Sequence, residues 1–234
     1  MSAYSSDIGA DTAWPAEATD RMNRMYRRQR HVYDGTRRYY LLGRDQMIAR
    51  LQPAAGATVL EIGCGTGRNL ILAARRHPDA RFFGIDVSTQ MLTTAISAIS
   101  RRGLASRIRV AHGDGTAFDP QALFGTPSFD EVMISYSLSM IPDWSRVLEA
   151  ALSHLKPGGR LHIVDFGGLE RLPGIVRGLL LRWLAMFDVT PREDLEPVLS
   201  AMAETAGASL TLERPFRGYA QYAVLRLAPE PLTP

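Results

Sequence analysis

Along this chain, short apolar runs alternate with longer stretches whose apolar positions recur every three or four residues. ATVLEI (57–62), RFFGID (81–86), RIRVAHGD (107–114), FDEVMISYS (129–137) and GRLHIVDF (159–166) read as strands. Between them, a segment ending at Arg76, one from Thr89 to Arg102 and one from Asp143 to Leu155 carry a helical period. Apolar strands separated by helices predict a parallel sheet covered on both faces. Thr190-Pro191-Arg192-Glu193 offers an N-cap, a proline for the first turn and a glutamate to close a capping box, so a helix is predicted from there to near Gly207. SLTLERPFRGYAQYAVLRLA then predicts a closing pair of strands.

Before the first strand the pattern changes. Residues 1–20 are small, polar and unpatterned, and read as a flexible terminus. From Met22 to Tyr40, one helical stripe holds Met22, Met25, Tyr26, Gln29, Tyr33, Thr36 and Tyr40, with Gly35 as a kink. The expected organisation is one domain over 21–234, with a helical cap over 21–50 and a Rossmann-like α/β core over 51–234. Gly174–Phe187 is a second amphipathic stretch. Ile175, Val176, Leu179, Leu180, Trp183, Leu184 and Phe187 share one face, Arg177 lies opposite and Arg182 sits at the edge. It is too short to cross a bilayer. A core helix, a contact between copies in a homo-oligomer and a helix lying in a lipid interface all fit it.

Composition narrows the setting. A chain of 234 residues, 46% hydrophobic and 22% charged, suits one globular domain. The single cysteine, Cys64, excludes an internal disulfide and fits a reducing, cytoplasmic compartment. The start, MSAYSSDIGADTAW, lacks the basic and apolar regions of a secretory signal. The net charge is only +3, but the stretch from Arg21 to Arg50 holds nine arginines against Asp34 and Asp45. This basic cap favours an anionic membrane surface, a nucleic acid or an acidic substrate, against the plain alternative of a solvated helix face.

The chemistry concentrates in VLEIGCGTGRNL, where Glu61, Gly63, Gly65 and Gly67 form E-x-G-x-G-x-G between a strand and a helix. Such a turn lets a ligand approach the backbone. It is not the dinucleotide spacing G-x-G-x-x-G, because Arg68 stands three residues after Gly65. Asp86 ends the second strand, where a carboxylate can accept both hydroxyls of a ribose. Asp114 ends the third, within reach of an adenine amino group. Ligands of open α/β sheets bind at the carboxyl ends of strands, where all these residues fall.

This pattern resembles the class I methyltransferases that use S-adenosylmethionine (SAM), and the resemblance covers residues 57–226, including LKPGGRLHIVDF before the fifth strand. It implies a seven-stranded sheet with an antiparallel last strand, and S-adenosylhomocysteine as product. Gly63, Cys64, Gly65 and Gly67 would lie against the methionine part, Asp86 on the ribose and Met91 on the adenine face. Asp114, Gly115 and Thr116 would read the adenine edge. Glu61, Asn69, Val87, Ser135 and Arg44 complete the expected cofactor set, and no metal is expected.

For the acceptor, Tyr136 at the end of the fourth strand faces the expected methyl position, and Tyr26, Tyr33 and Tyr40 are candidates from the cap. Tyrosine faces favour methylated ammonium groups. Each also fits plain packing. Asp165 reads as a loop carboxylate near the pocket, and His112 and His154 as structural. The cap sequence YRRQRHVYDGTRRYYLLGRD also resembles the bacterial betaine-lipid N-methyltransferases, through Tyr26, Arg27, Gln29, Arg30, Tyr33, Asp34, Thr36, Arg37, Tyr40, Gly43, Arg44 and Asp45. That resemblance implies conversion of diacylglyceryl-homoserine to its trimethyl form in three steps, by an enzyme peripheral to the inner face of the membrane. The alternatives are a soluble small-molecule methyltransferase, a non-catalytic SAM-binding subunit and an RNA methyltransferase. The last is disfavoured, because SYSLSMIPDW lacks the N/D-P-P-Y/F signature and no nucleic-acid-binding motif is present.

Overall fold

The computed structural model describes residues 41–187 and 189–230. Tyr26, Tyr33, Tyr40 and almost all of the cap lie outside the described residues. The elements run α1 (Arg44–Arg50), β1 (Thr58–Ile62), α2 (Arg68–Arg76), β2 (Arg81–Asp86), α3 (Thr89–Ser100), β3 (Ile108–His112), α4 (Pro120–Phe124) and β4 (Phe129–Ser135). A 3-10 turn (Leu138–Met140) and α5 (Trp144–Ser153) follow, then β5 (Leu155–Phe166), α6 (Gly174–Ala185), α7 (Leu195–Thr205), β6 (Ser209–Glu213) and β7 (Ala220–Arg226).

The seven strands form one sheet in the order β3-β2-β1-β4-β5-β7-β6. β1 to β5 are parallel, and the last strand, β7, is antiparallel, as the resemblance implies, and enters between β5 and β6. All five residues of β1 and the last five of β4 are buried, which fits central strands covered on both sides. One core packs Met47, Leu70, Leu92 and Ala95 of α1, α2 and α3 against the sheet. The other packs Phe124, Val147, Leu148 and Leu199 of α4, α5 and α7. Ile62 pairs with Ile85 on one side and Ile134 on the other, so β1, β2 and β4 end together. That alignment brings Glu61, Asp86 and Ser135 to one edge.

Several elements depart from the sequence prediction: β5 begins at Leu155 rather than Gly159, and a short helical turn at Pro215–Gly218 separates β6 from β7. α4 is formed although no periodicity marks it: Asp119 caps it, accepting from the N–H groups of Gln121 and Ala122. The helix predicted from Thr190 begins only at Leu195. Tertiary partners take the groups of its expected first turn: Thr190 N–H donates to the Ser139 carbonyl, and the Arg192 carbonyl accepts from Gln221. Glu193, predicted to close the capping box, pairs with Arg177 instead.

Candidate functional site

The loop after β1 shows why its glycines are needed. A Cβ on Gly63 would stand 2.7 Å from the Cβ of Ser137, and φ is +73°. Gly65 has φ of +54° and nothing within 4 Å of an added Cβ, so the chain leaves space there. Gly67 differs from the expectation. It does not line the cavity; a Cβ on it would press on Ala95 Cβ at 3.2 Å, so its role is close packing of α3. Asp86 clamps the same loop, with Oδ2 accepting from Gly65 N–H at 2.7 Å and Oδ1 from Ser88 N–H at 2.8 Å. Ser88, rather than Asp86, caps α3.

Over these strand ends lies a cavity of about 1260 Å³, measured against the described residues. Glu61, Gly63, Cys64, Gly65, Asn69, Asp86, Val87, Asp114, Gly115, Thr116, Ser135 and Arg44 all line it. The sequence-predicted cofactor residues are thus largely gathered in one place. Met91 is the other exception. It is buried in the first turn of α3, where its N–H caps onto Ser88, and it is not at the cavity wall.

Glu61 is wholly buried. Asn69 Nδ2 donates to its Oε1 at 2.7 Å, while its Oε2, Asn69 Oδ1 and Ser135 Oγ have no hydrogen-bond partner among the described residues. Burial pushes the Glu61 carboxyl up to about 8, against the opposing hydrogen bond from Asn69 and the positive charge of Arg44. Two acceptors without donors, on the wall of a cavity, suit a ligand that brings N–H groups, as the ammonium of a methionine moiety does. Asp114 Oδ1 accepts from both the N–H and the hydroxyl of Thr116 at 2.8 Å, which fixes its carboxylate at the β3 end. The donor and acceptor set therefore fits SAM.

Beyond β4 the wall changes character. Leu41, Met140, Ile141, Ala185 and Val189 line it with Tyr136, Thr190 and Arg192. Tyr136 stands at φ +55°, uncommon for a bulky residue. Its ring meets Phe166 edge-on at 4.6 Å, and its hydroxyl donates to the Leu42 carbonyl. Burial pushes the Tyr136 phenol well up, so it keeps its proton at neutral pH. Asp165 is fully buried and is not at the wall: it accepts from Ser139 N–H at 3.2 Å and Phe166 N–H at 2.8 Å, and burial raises it to about 6. His112 meets the Val87 carbonyl at 3.2 Å, and the ring of His154 lies 4.7 Å from that of Phe118. Sequence reasoning missed Met140, Val189, Thr190 and Arg192. Their residue types carry no motif, and the last two were read as the start of a helix.

α6 is divided. Leu184 is buried, and Trp183 and Phe187 pack edge-on at 5.1 Å, but Ile175 is 82%, Leu179 65% and Met186 75% exposed. No helix of the described residues is long and apolar enough to cross a membrane.

Comparison with known proteins agrees with the cofactor half. Residues 59–159 match the family model described as a methyltransferase domain. Demethylmenaquinone methyltransferase of Geobacillus kaustophilus (strain HTA426) is 31% identical over 141 residues, 60% of this chain and 54% of that protein. Trans-aconitate 2-methyltransferase of Azoarcus sp. (strain BH72) is 32% identical over 117 residues, 50% of this chain and 42% of that protein. The chain spans about half the length of the curated relatives it matches. Phosphoethanolamine N-methyltransferase 2 of Haemonchus contortus, solved in complex with S-adenosyl-L-methionine, shares the fold with a TM-score of 0.62 at 18% identity. The match covers 80% of this chain and 52% of that one. Residues 59–159 thus carry a methyltransferase domain, on a fold shared with SAM-dependent methyltransferases and with a cavity whose donors and acceptors fit SAM as the cofactor.

Proposed function

We propose that the chain is an N-methyltransferase acting on a lipid headgroup, converting diacylglyceryl-homoserine to diacylglyceryl-N,N,N-trimethylhomoserine in three transfers. The observation that carries this reading is the junction of the acceptor end with α6. The cavity reaches Ala185 at the end of that helix, and α6 presents Ile175, Val176 and Leu179 to the outside. An exposed apolar face on the helix whose last residue lines the cavity suits a substrate whose tails stay in a bilayer. The basic stretch Arg21–Arg50 and the resemblance of its sequence to the betaine-lipid enzymes support the same reading.

Bound SAM supplies an activated methyl group on a sulfonium, so the chain's task is to align an unprotonated amine with it. Glu61, Asn69 and Ser135 offer acceptors that orient the amino-acid end, and Asp86 and Asp114 offer carboxylates to the nucleoside. Tyr136 holds its proton and is no base. The apolar wall of Leu41, Met140, Ile141 and Val189 instead disfavours an ammonium and lowers the amine's pKa by desolvation.

The test is a partition assay with methyl-labelled SAM and vesicles containing diacylglyceryl-homoserine. Label is expected in the organic phase as mono-, di- and trimethylated lipid. No organic label from protein that binds SAM would withdraw the reading. A soluble acceptor is the second reading, favoured by relatives named for trans-aconitate and other small molecules. It predicts turnover of water-soluble acceptors that is indifferent to added lipid.

A further inference from the structure

Arg192, like Arg107 and Arg109, is held across the fold by backbone carbonyls and not by a carboxylate, but of these three it alone lines the cavity. Arg50, Arg68, Arg160, Arg177 and Arg214 each pair with a carboxylate at 2.6–3.7 Å. Arg192 pairs with none of the described carboxylates. Its Nε donates to the Leu138 carbonyl at 3.1 Å, one of its Nη2 hydrogens goes to the Ile141 carbonyl at 2.8 Å, and its guanidinium lies 5.9 Å from the centre of the Trp144 ring. Its own carbonyl is held by Gln221 at 2.8 Å. The side chain is half-buried and lines the cavity.

Two neutral carbonyls fix the head group without compensating its charge. Of the five N–H groups of a guanidinium, three are without a partner among the described residues, two of them on Nη1. A planar fork held in place, with a positive charge and open donors, is suited to the two oxygens of a carboxylate. Sheet order says which ligand this is. Asp114, Asp86 and Glu61 stand at the ends of β3, β2 and β1 in turn, and Ser135 follows on β4. Arg192 is bound to the 138–141 segment, past the end of β4, whereas the cations whose charge acts on Glu61 are Arg44 and Arg68.

We infer that Arg192 is the specificity-determining residue of the acceptor pocket and takes a carboxylate carried by the methyl acceptor. The inference deepens the N-methyltransferase reading, since homoserine bears a carboxylate beside its amine, but the anion site stands on the geometry alone.

The experiment uses the full chain saturated with S-adenosylhomocysteine and titrated with hexanoate and hexanamide, which share a tail and differ in charge. Wild-type protein is expected to prefer hexanoate by about 10- to 100-fold, the usual size for a charge-assisted bond. R192M is expected to lose the preference, and R192K, which keeps a point charge, to retain part of it. Melting temperature and S-adenosylhomocysteine affinity should stay at wild-type values in R192K, which keeps the test valid if R192M fails to fold. The proposal is overturned if wild-type protein shows no preference, if the preference survives in R192M, or if R192K weakens S-adenosylhomocysteine rather than hexanoate. A preference that follows Arg192 in a protein that does not methylate diacylglyceryl-homoserine would sink the lipid reading and leave the anion site. Methylation of that lipid by R192M at the wild-type KM would do the reverse.

Discussion

At one end of the cavity, the ligand-facing groups stand on neighbouring strand ends: Glu61 on β1, Asp86 on β2 and Asp114 just past β3, with a glycine loop between the first two. At the other end the wall is drawn from Leu41, the 139–143 segment and Ala185, Val189, Thr190 and Arg192, far apart in the chain and mostly outside regular elements. The first end is set by sheet register, so its side chains cannot move without moving the core. The second is set by individual tertiary bonds, such as Thr190 N–H to the Ser139 carbonyl at 2.9 Å. Damage at the first end should therefore cost folding and SAM affinity together, and damage at the second should cost acceptor use with SAM affinity kept and at most a small loss of stability.

The largest effect should come from Gly63→Ala. The new Cβ meets Ser137 at 2.7 Å and φ is +73°, so a left-handed penalty adds to a clash. A loss of about 2–4 kcal/mol in urea unfolding is expected, with SAM binding weakened about 100-fold or more. Gly174→Ala at the start of α6 meets nothing within 4 Å and should be neutral, or stabilising by up to ~1 kcal/mol. Equal costs at the two glycines would show that the Ser137 contact does not constrain the loop after β1.

Next comes a proton. With its carboxyl raised to about 8, Glu61 holds a proton in the folded state that the unfolded chain has already lost above its ordinary value near 4.5. The unfolded state then binds fewer protons, so stability falls as pH rises towards 8, and the full penalty remains above it. Asp165, raised to about 6, adds a slope of the same sign at lower pH. Between pH 6 and 9, wild-type protein should lose melting temperature and Glu61→Gln should lose less. A ligand ammonium beside Oε2 favours the charged carboxylate, so binding S-adenosylhomocysteine at pH 7 should release roughly one proton. Calorimetry in buffers of different ionisation heat measures this, and release that persists in Glu61→Gln would place the proton elsewhere.

A smaller change is expected from Tyr136→Phe. It removes the hydroxyl that donates to the Leu42 carbonyl while keeping the ring against Phe166. About 1 kcal/mol of stability should go, and because the phenol is no base, the pH profile of kcat should keep its shape. A lost limb in that profile would give Tyr136 a proton-transfer role.

The same contrast explains what was legible. Glu61, the glycines, Asp86 and Asp114 could be placed from sequence because each follows an apolar run whose end the periodicity marks. The seven-stranded sheet followed from the same runs. Gly67 and Met91 stand off the cavity wall although they belong to the same motif, because spacing along a loop does not tell which side of the chain faces the cavity. Arg192 was invisible for a different reason. Thr190-Pro191-Arg192-Glu193 has every local mark of a helix start, and only the carbonyls of Leu138 and Ile141 and the side chain of Gln221, distant in sequence, hold it otherwise. Local propensity lost to tertiary hydrogen bonds where the acceptor pocket needed the chain.

The smallest effect on the isolated protein should come from the outer face of α6. Leu179 is 65% exposed, so Leu179→Ser removes little buried area and should change unfolding by no more than about 0.5 kcal/mol. A core helix would behave otherwise: Leu184, on the same helix and buried, should cost about 2–5 kcal/mol when changed to alanine. With two residues five positions apart so different, the helix has an anchored end and an open one. Ile175→Ser with Leu179→Ser should leave SAM binding untouched and lower flotation with anionic vesicles and turnover of lipid substrate in parallel. Loss of the vesicle contact with unchanged lipid turnover would detach α6 from the acceptor path and move the burden of lipid capture to the basic segment before it.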